Sequence, residues 1–254
     1  MTEGGSIDVL FTPAEFETLR NRDLSRSTCV VFDVLRATSS MVTALANGAE
    51  AIIPVTEISE ALEIKRKDPD VLLAGERDGL RIGADLTGTI GFDLGNSPRE
   101  FTKEKVAGRR IVITTTNGTR ALRACAHAET VLVSSFLNLL ATRDLLQPRV
   151  PLDLLVICSG TFEQPALEDV LAAGALCEYL STYKATASDS VLIAVNHYLP
   201  ANRNLGIVMA QSRNARRLMS RPELRDDVAY CSQRDIYNFA AAMDKNGVVS
   251  RIPS

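Results

Sequence analysis

The chain has 254 residues, 46% of them hydrophobic and 23% charged, and 28 Lys and Arg stand against 31 Asp and Glu for a net charge of −3. That apolar, nearly neutral composition excludes a disordered chain, and it offers no positive field to recruit a nucleic-acid backbone. No apolar run reaches the roughly 18 residues a membrane helix needs, and the start Met1-Thr2-Glu3-Gly4-Gly5 does not read as a secretory leader. Five cysteines without C-x-x-C spacing and two histidines argue against a disulfide framework or a zinc site. These features together point to the cytoplasm.

Strand-like and helix-like segments alternate along the chain. Thr12-Pro13-Ala14-Glu15 is a capping box that should open a helix. Ser27 to Phe32 reads as a buried strand ending at Asp33, followed by a helix from Thr38 to Asn47 that stops at Gly48. Ala51 to Val55 is the next strand, and Thr56 caps a helix with Lys65, Arg66 and Lys67 in its last turn. Val71 to Ala74 is a strand, and the glycine-rich stretch Gly75 to Asn96 reads as a long functional loop closed by a second capping box, Ser97 to Glu100. Arg109 to Thr114 forms a strand and a helix starts near Arg120. Val131 to Ser134 and Leu154 to Cys158 are further strands. Pro165 opens a helix with Leu167, Val170, Leu171, Gly174 and Leu180 on one face. A late helix spans Arg203 to Ser220 and a late strand Val228 to Cys231. Alternating βα units with apolar strands predict an α/β sheet covered by helices on both faces. A faint internal echo admits two lobes, about 1–130 and 131–254, within one domain spanning 1–254.

Polar residues concentrate where such folds bind ligands, beyond the C-terminal ends of the strands. Four strand ends carry them: Asp33 through Ser40, Gly75-Glu76-Arg77, Thr114 through Thr119, and Ser159-Gly160-Thr161 with Glu168-Asp169 close behind. Taken singly, each has a plain structural reading. Thr38, Ser39 and Ser40 suit a helix cap, Asn117-Gly118 a turn, and Glu168 and Asp169 the first turn of a helix. Asp33 is different, because a carboxylate ending a buried strand needs an arginine, hydrogen bonds or a metal. Nucleotide-loop, serine-hydrolase, cysteine-phosphatase and dehalogenase spacings are all absent. What remains is a carboxylate-rich, histidine-poor anion site, a composition that suits one hard cation such as Mg²⁺.

The blocks Asp33-Val34-Leu35-Arg36-Ala37-Thr38, Gly75-Glu76-Arg77, Gly91 through Pro98, Thr114 through Leu122 and Glu168-Asp169-Val170, in this order and with Asp227-Val228 near the end, resemble the 2-phosphosulfolactate phosphatase family. The resemblance implies a three-layer α/β/α sandwich. It also implies Mg²⁺-dependent hydrolysis of (2R)-2-phospho-3-sulfolactate to 3-sulfolactate and phosphate, a step of coenzyme M synthesis. Under it, catalysis falls to Asp33, Arg36, Glu76, Arg77 and Asp93, and substrate contact to Thr38, Ser39, Asn96, Thr116, Asn117, Gly118, Thr119, Gly160 and Thr161. Asp33, Glu168 and Asp169 would hold the metal, and the attacking group is either water or Asp33 itself. The implied partner is a small phosphate- and sulfonate-bearing substrate, with no nucleic acid and no membrane, and a homodimer is admitted. Two other readings stand beside it: a phosphatase of another small phosphorylated hydroxy acid, and a non-catalytic anion-binding homologue. The segment Phe162 to Ala166 departs from the glycine-containing turn that the resemblance leads one to expect before Glu168.

Overall fold

Burial alternates along the strands and builds the layers. In the computed structural model, which describes residues 5–149, 153–180 and 187–252, Cys29 and Val31 of one strand pack into one core cluster while Val30 and Phe32 pack into another. Leu155 and Ile157 divide from Leu154, Val156 and Cys158 in the same way. Side chains that alternate across a pleat reach opposite faces, so both faces are covered, and the result is a three-layer α/β/α sandwich.

Among the described residues ten strands form one sheet: β1 (Ile7–Leu10), β2 (Ser27–Phe32), β3 (Ala51–Pro54), β4 (Leu72–Arg77), β5 (Leu80–Arg81), β6 (Arg110–Thr114), β7 (Thr130–Ser134), β8 (Asp153–Cys158), β9 (Ala241–Met243) and β10 (Val249–Arg251). Their order is β1-β8-β2-β7-β9-β10-β3-β6-β4-β5. β1, β8, β2 and β7 form one parallel block, and β3, β6 and β4 a second. The antiparallel hairpin β9–β10 joins them, pairing with β7 on one side and β3 on the other. By pairing alone the two blocks run in opposite directions. Twist on the order of 20° per strand step accumulates to about 100° between β2 and β6, which turns the C-terminal ends of the blocks toward a shared cleft.

The capping box at Thr12 forms and opens a 3₁₀ turn, Pro13–Glu15, before the helix Phe16–Arg20. The helix after β2 runs from Ala37 to Ala46, with Gly48 beyond it at φ 90°. Other segments differ from expectation. The helix before β4 spans Ile58–Lys67 with Glu57, not Thr56, at its cap. Glu100 does not close a capping box but accepts from Gly95 N–H at 2.9 Å, and Pro98–Glu100 is a 3₁₀ turn. The stretch from Gly75 to Asn96 is partly ordered as the end of β4, β5 and a short helix, Ala84–Thr87. The helix after β8 is Leu167–Tyr179 and starts after Pro165.

The late helix is broken into Leu205–Ala210 and Arg213–Met219, because Ser212 caps the second piece, its hydroxyl accepting from Ala215 N–H at 3.1 Å. Val228 to Cys231 is helix, not strand: Val228 and Cys231, three apart, are the buried apolar positions of the helix Asp226–Cys231. The leader reading at Met1 to Gly4 lies outside the described residues. Among those that are described, no helix is long and apolar enough to cross a membrane.

Candidate active site

The loop after β2 is built around Asp33. Thr38 holds its backbone from both sides, its hydroxyl donating to Asp33 O at 3.0 Å and accepting from Asp33 N–H at 3.1 Å. One carboxylate oxygen accepts from Ala37 N–H at 3.1 Å. The other is overlain by the backbone of Gly118, where a Cβ would lie 2.8 Å from Asp33 Oδ2 and 2.6 Å from Ala37 Cβ. Only glycine permits that approach, which brings the turn after β6 onto the turn after β2. Burial, with repulsion from Glu76 and Glu168, pushes the Asp33 carboxyl up to about 7, against the pull of Ala37 N–H and Arg36.

Two more carboxylates come from the helix Leu167–Tyr179. Asp169 accepts from Val34 N–H at 2.8 Å and Gly160 N–H at 3.1 Å, one on each oxygen, tying the turns after β2 and β8 together. Burial and the charges of Asp33 and Glu168 raise its pKa. Glu168 Oε1 accepts from Asn214 at 2.6 Å, while Oε2 is buried with no hydrogen-bond partner among the described residues. Burial raises Glu168 as well.

Glu76, at the end of β4, accepts from the Thr116 N–H and hydroxyl with one oxygen and from Gly79 N–H with the other, at 3.0, 2.9 and 2.6 Å. It therefore acts as a brace between the turns after β4 and β6. The Arg36 guanidinium, buried, donates to Asp227 at 2.8 Å and to the Gly79 carbonyl at 2.8 Å. Asp227 also accepts from Ser97 at 2.6 Å.

Asp33, Arg36, Glu76, Asn96, Thr116, Asn117 and Thr161 line one cleft. Its space, open solvent at the mouth included, is about 670 Å³. Glu168 joins through Asn214, whose amide donates to both Glu168 and Thr161. Gly160, at φ 62°, shapes the cleft wall; a Cβ there would meet Gln164 O at 2.6 Å.

Other expected residues lie elsewhere. Arg77 follows Glu76 on a strand and so faces the opposite way; it donates to Glu76 O, Thr56 O and Thr114. Asp93 is exposed outside the cleft and accepts from Leu73 N–H at 2.7 Å. Thr38, Ser39 and Thr119 are fully buried, their hydroxyls spent on backbone carbonyls. Phe162, from the departing segment before Glu168, lines the cleft, which also has residues that were not anticipated: Asp78, Asn214, Arg217 and Arg221. Arg213, Arg217 and Arg221 recur every fourth position, a spacing that marks one helix face. Phe162 and Glu163 sit at φ 52° and 57°, where a glycine turn would be at ease.

The donors that could meet a metal are all oxygens. Among the described residues no three His, Cys, Asp or Glu side chains gather as a ready-made cage. A hard cation bound by one or two carboxylates plus water and substrate oxygens needs no such cage. The Glu168 Oε2, without a hydrogen-bond partner among the described residues, fits that mode, whereas both oxygens of Asp169 are already engaged.

The family described as 2-phosphosulpholactate phosphatase matches residues 13–246. A protein of Caldanaerobacter subterraneus subsp. tengcongensis named probable 2-phosphosulfolactate phosphatase is 39% identical over 245 residues, 94% of this chain and 97% of that one. Like-named proteins of Thermotoga maritima, 39% identical over 221 residues (87% and 90%), and Pseudothermotoga lettingae, 36% over 248 residues (97% and 100%), are also similar. With buried carboxylates and an arginine meeting at one cleft and the match running through all the segments that form it, the chain belongs to the 2-phosphosulfolactate phosphatase family, a family of phosphoric monoester hydrolases.

Proposed function

We propose that the chain is an Mg²⁺-dependent phosphatase that hydrolyses (2R)-2-phospho-3-sulfolactate to 3-sulfolactate and phosphate, a cytoplasmic step of coenzyme M synthesis. One observation carries the metal-assisted reading: the buried Glu168 Oε2 has no hydrogen-bond partner among the described residues, and its charge acts on the Asp33 carboxyl. A bare, desolvated carboxylate oxygen is costly unless a cation or proton meets it. Family membership supports the substrate, and five free, buried cysteines agree with a reducing compartment.

Asp33 and Glu168 would hold the cation. When bound it neutralises charge on the phosphoryl oxygens and makes water a better nucleophile. The protein's own groups then do the following. Ala37 N–H and Gly118 fix the Asp33 carboxylate in one orientation, so that it takes the proton of the water that attacks phosphorus. The P–O bond to C2 breaks and the departing alkoxide takes a proton from solvent. Arg36, held in place by Asp227 and Gly79 O, turns its remaining N–H donors to the substrate oxyanions. Asp169 and Glu76 keep the four turns in register, which is what pre-organises the site.

The test is phosphate release from 2-phospho-3-sulfolactate, with 2-phospholactate and phosphoglycolate alongside, in Mg²⁺ and in EDTA. Turnover of the sulfonated substrate that disappears in EDTA is expected. Asp33→Asn should lower kcat more than about tenfold, a barrier rise of at least about 1.4 kcal/mol, with the fold retained. EDTA-resistant turnover would sink the metal's part, and an active Asp33→Asn enzyme would sink that residue's role.

A further inference from the structure

The charges of the cleft are not evenly spread. Asp33, Glu76 and, behind Asn214, Glu168 make one wall acidic. The helix Arg213–Met219 and the turn after it bring Arg217 and Arg221 to the same cleft, together with Leu218 and Leu224.

The cationic groups differ in how far they are already spoken for. Arg36 is paired with the buried Asp227. Arg213 is occupied by Gln164 and the Thr161 carbonyl and lies over the Phe162 ring. Arg217 meets Asp78 at 3.2 Å, a carboxylate 86% exposed, so this pair is screened by water and easily exchanged. Arg221 makes no ion pair among the described residues, and its Nη1 is buried without a hydrogen-bond partner, beside Gly79. A buried N–H of a guanidinium that has no acceptor is a donor waiting for one.

We infer that Arg217 and Arg221 form a sulfonate subsite, which makes the Arg213–Met219 helix and the turn after it the element that selects the substrate. This deepens the proposed function and rests on its substrate. That substrate carries phosphate, carboxylate and sulfonate. Its phosphoryl group belongs at the acidic wall, where a cation offsets the charge. A second strong anion placed there would meet Asp33 and Glu76 unshielded, so it lies where the lightly engaged Arg217 and Arg221 can meet it. A sulfonate suits that pair: it is always ionised, and its three oxygens accept from two guanidinium forks at once.

The test compares wild type with Arg221→Met and Arg217→Met, which keep the apolar stem, and with Arg216→Met, an exposed position of the same helix, as control. Steady-state kinetics gives kcat/KM for 2-phospho-3-sulfolactate and for 2-phospholactate, which keeps the carboxylate and lacks the sulfonate. Calorimetry gives Kd for 3-sulfolactate and lactate, whatever the turnover. Losing a charged hydrogen bond should cut the sulfonated-to-plain kcat/KM ratio by about tenfold or more in Arg221→Met, less in Arg217→Met and not in Arg216→Met. The Kd of 3-sulfolactate should rise in parallel. Equal losses for both substrates, or none, overturn the subsite. If wild type hydrolyses neither compound, the proposed function falls and the calorimetry alone decides. Weaker 3-sulfolactate binding in Arg221→Met then upholds the subsite, and unchanged or undetectable binding in wild type and variant rejects it.

Discussion

Asp33 couples the site to stability through a proton. Its carboxyl titrates near about 7 in the fold and near 3.8 when unfolded. Between those values the folded state keeps a proton the unfolded chain has released, so its contribution is full below about pH 4 and gone above about pH 7. Thermal unfolding in EDTA should therefore show stability falling as pH rises through this window, at up to about 1.4 kcal/mol per pH unit from this group. Glu168 and Asp169, raised for the same reason, act with the same sign. Asp33→Asn should flatten the slope. Asp227 matters as a partner, because its loss strands a cation. Arg36 and Asp227 are 3% and 0% exposed, and Asp227→Ala leaves the guanidinium buried and unpaired, which should cost about 3–5 kcal/mol in urea denaturation. Individual site residues were readable where chemistry forced the issue. A carboxylate closing an apolar strand had to be held, and Asp33 is. Arg77 was not readable, because neighbours on a strand face opposite ways and nothing in the local pattern says which of Glu76 and Arg77 turns inward. Arg221 was hidden differently: it reaches the cleft from a late segment, and only its four-residue spacing from Arg217 hints at that.

At the scale of elements, the site depends on two turns pressed together. The helix starting at Gly118 begins against the start of the helix Ala37–Ala46. A methyl group at Gly118 would have to displace Ala37 or the Asp33 carboxylate. Gly118→Ala should thus cost about 1–3 kcal/mol of stability and lower kcat with it, measured by chemical denaturation and phosphate release on the same preparation. A variant with native stability and native kcat would show that the two turns move apart at little cost. Most of the alternating strands and helices of the first two-thirds were legible because the buried strands are short apolar runs bounded by polar turns. The exceptions include β1 and the 13-residue helix Asp189–Ala201, which the patterns did not predict. Three-residue β9 and β10 carry too few residues to show a period, and Val228 to Cys231 holds a helical pair of buried positions in a segment that also passes for a strand.

The whole molecule is held together by the β9–β10 hairpin, which fills the gap between two parallel blocks. Deleting residues 240–252 should leave β7 and β3 as bare edges, and the expected product is an aggregating chain without phosphatase activity. A soluble, monodisperse and active truncation, seen by size-exclusion chromatography, would contradict this. Such a bridge could not be read in advance, because its pairing is far from local: Ala241 sits beside Val133, and Val249 beside Ile52. The order of the chain then sets a timetable. Every residue that lines the cleft precedes the hairpin in the sequence. During synthesis the turns that carry Asp33, Glu76 and Arg221 therefore exist before the strand pair that joins β7 to β3's side of the sheet, and their alignment into one cleft waits for that pair.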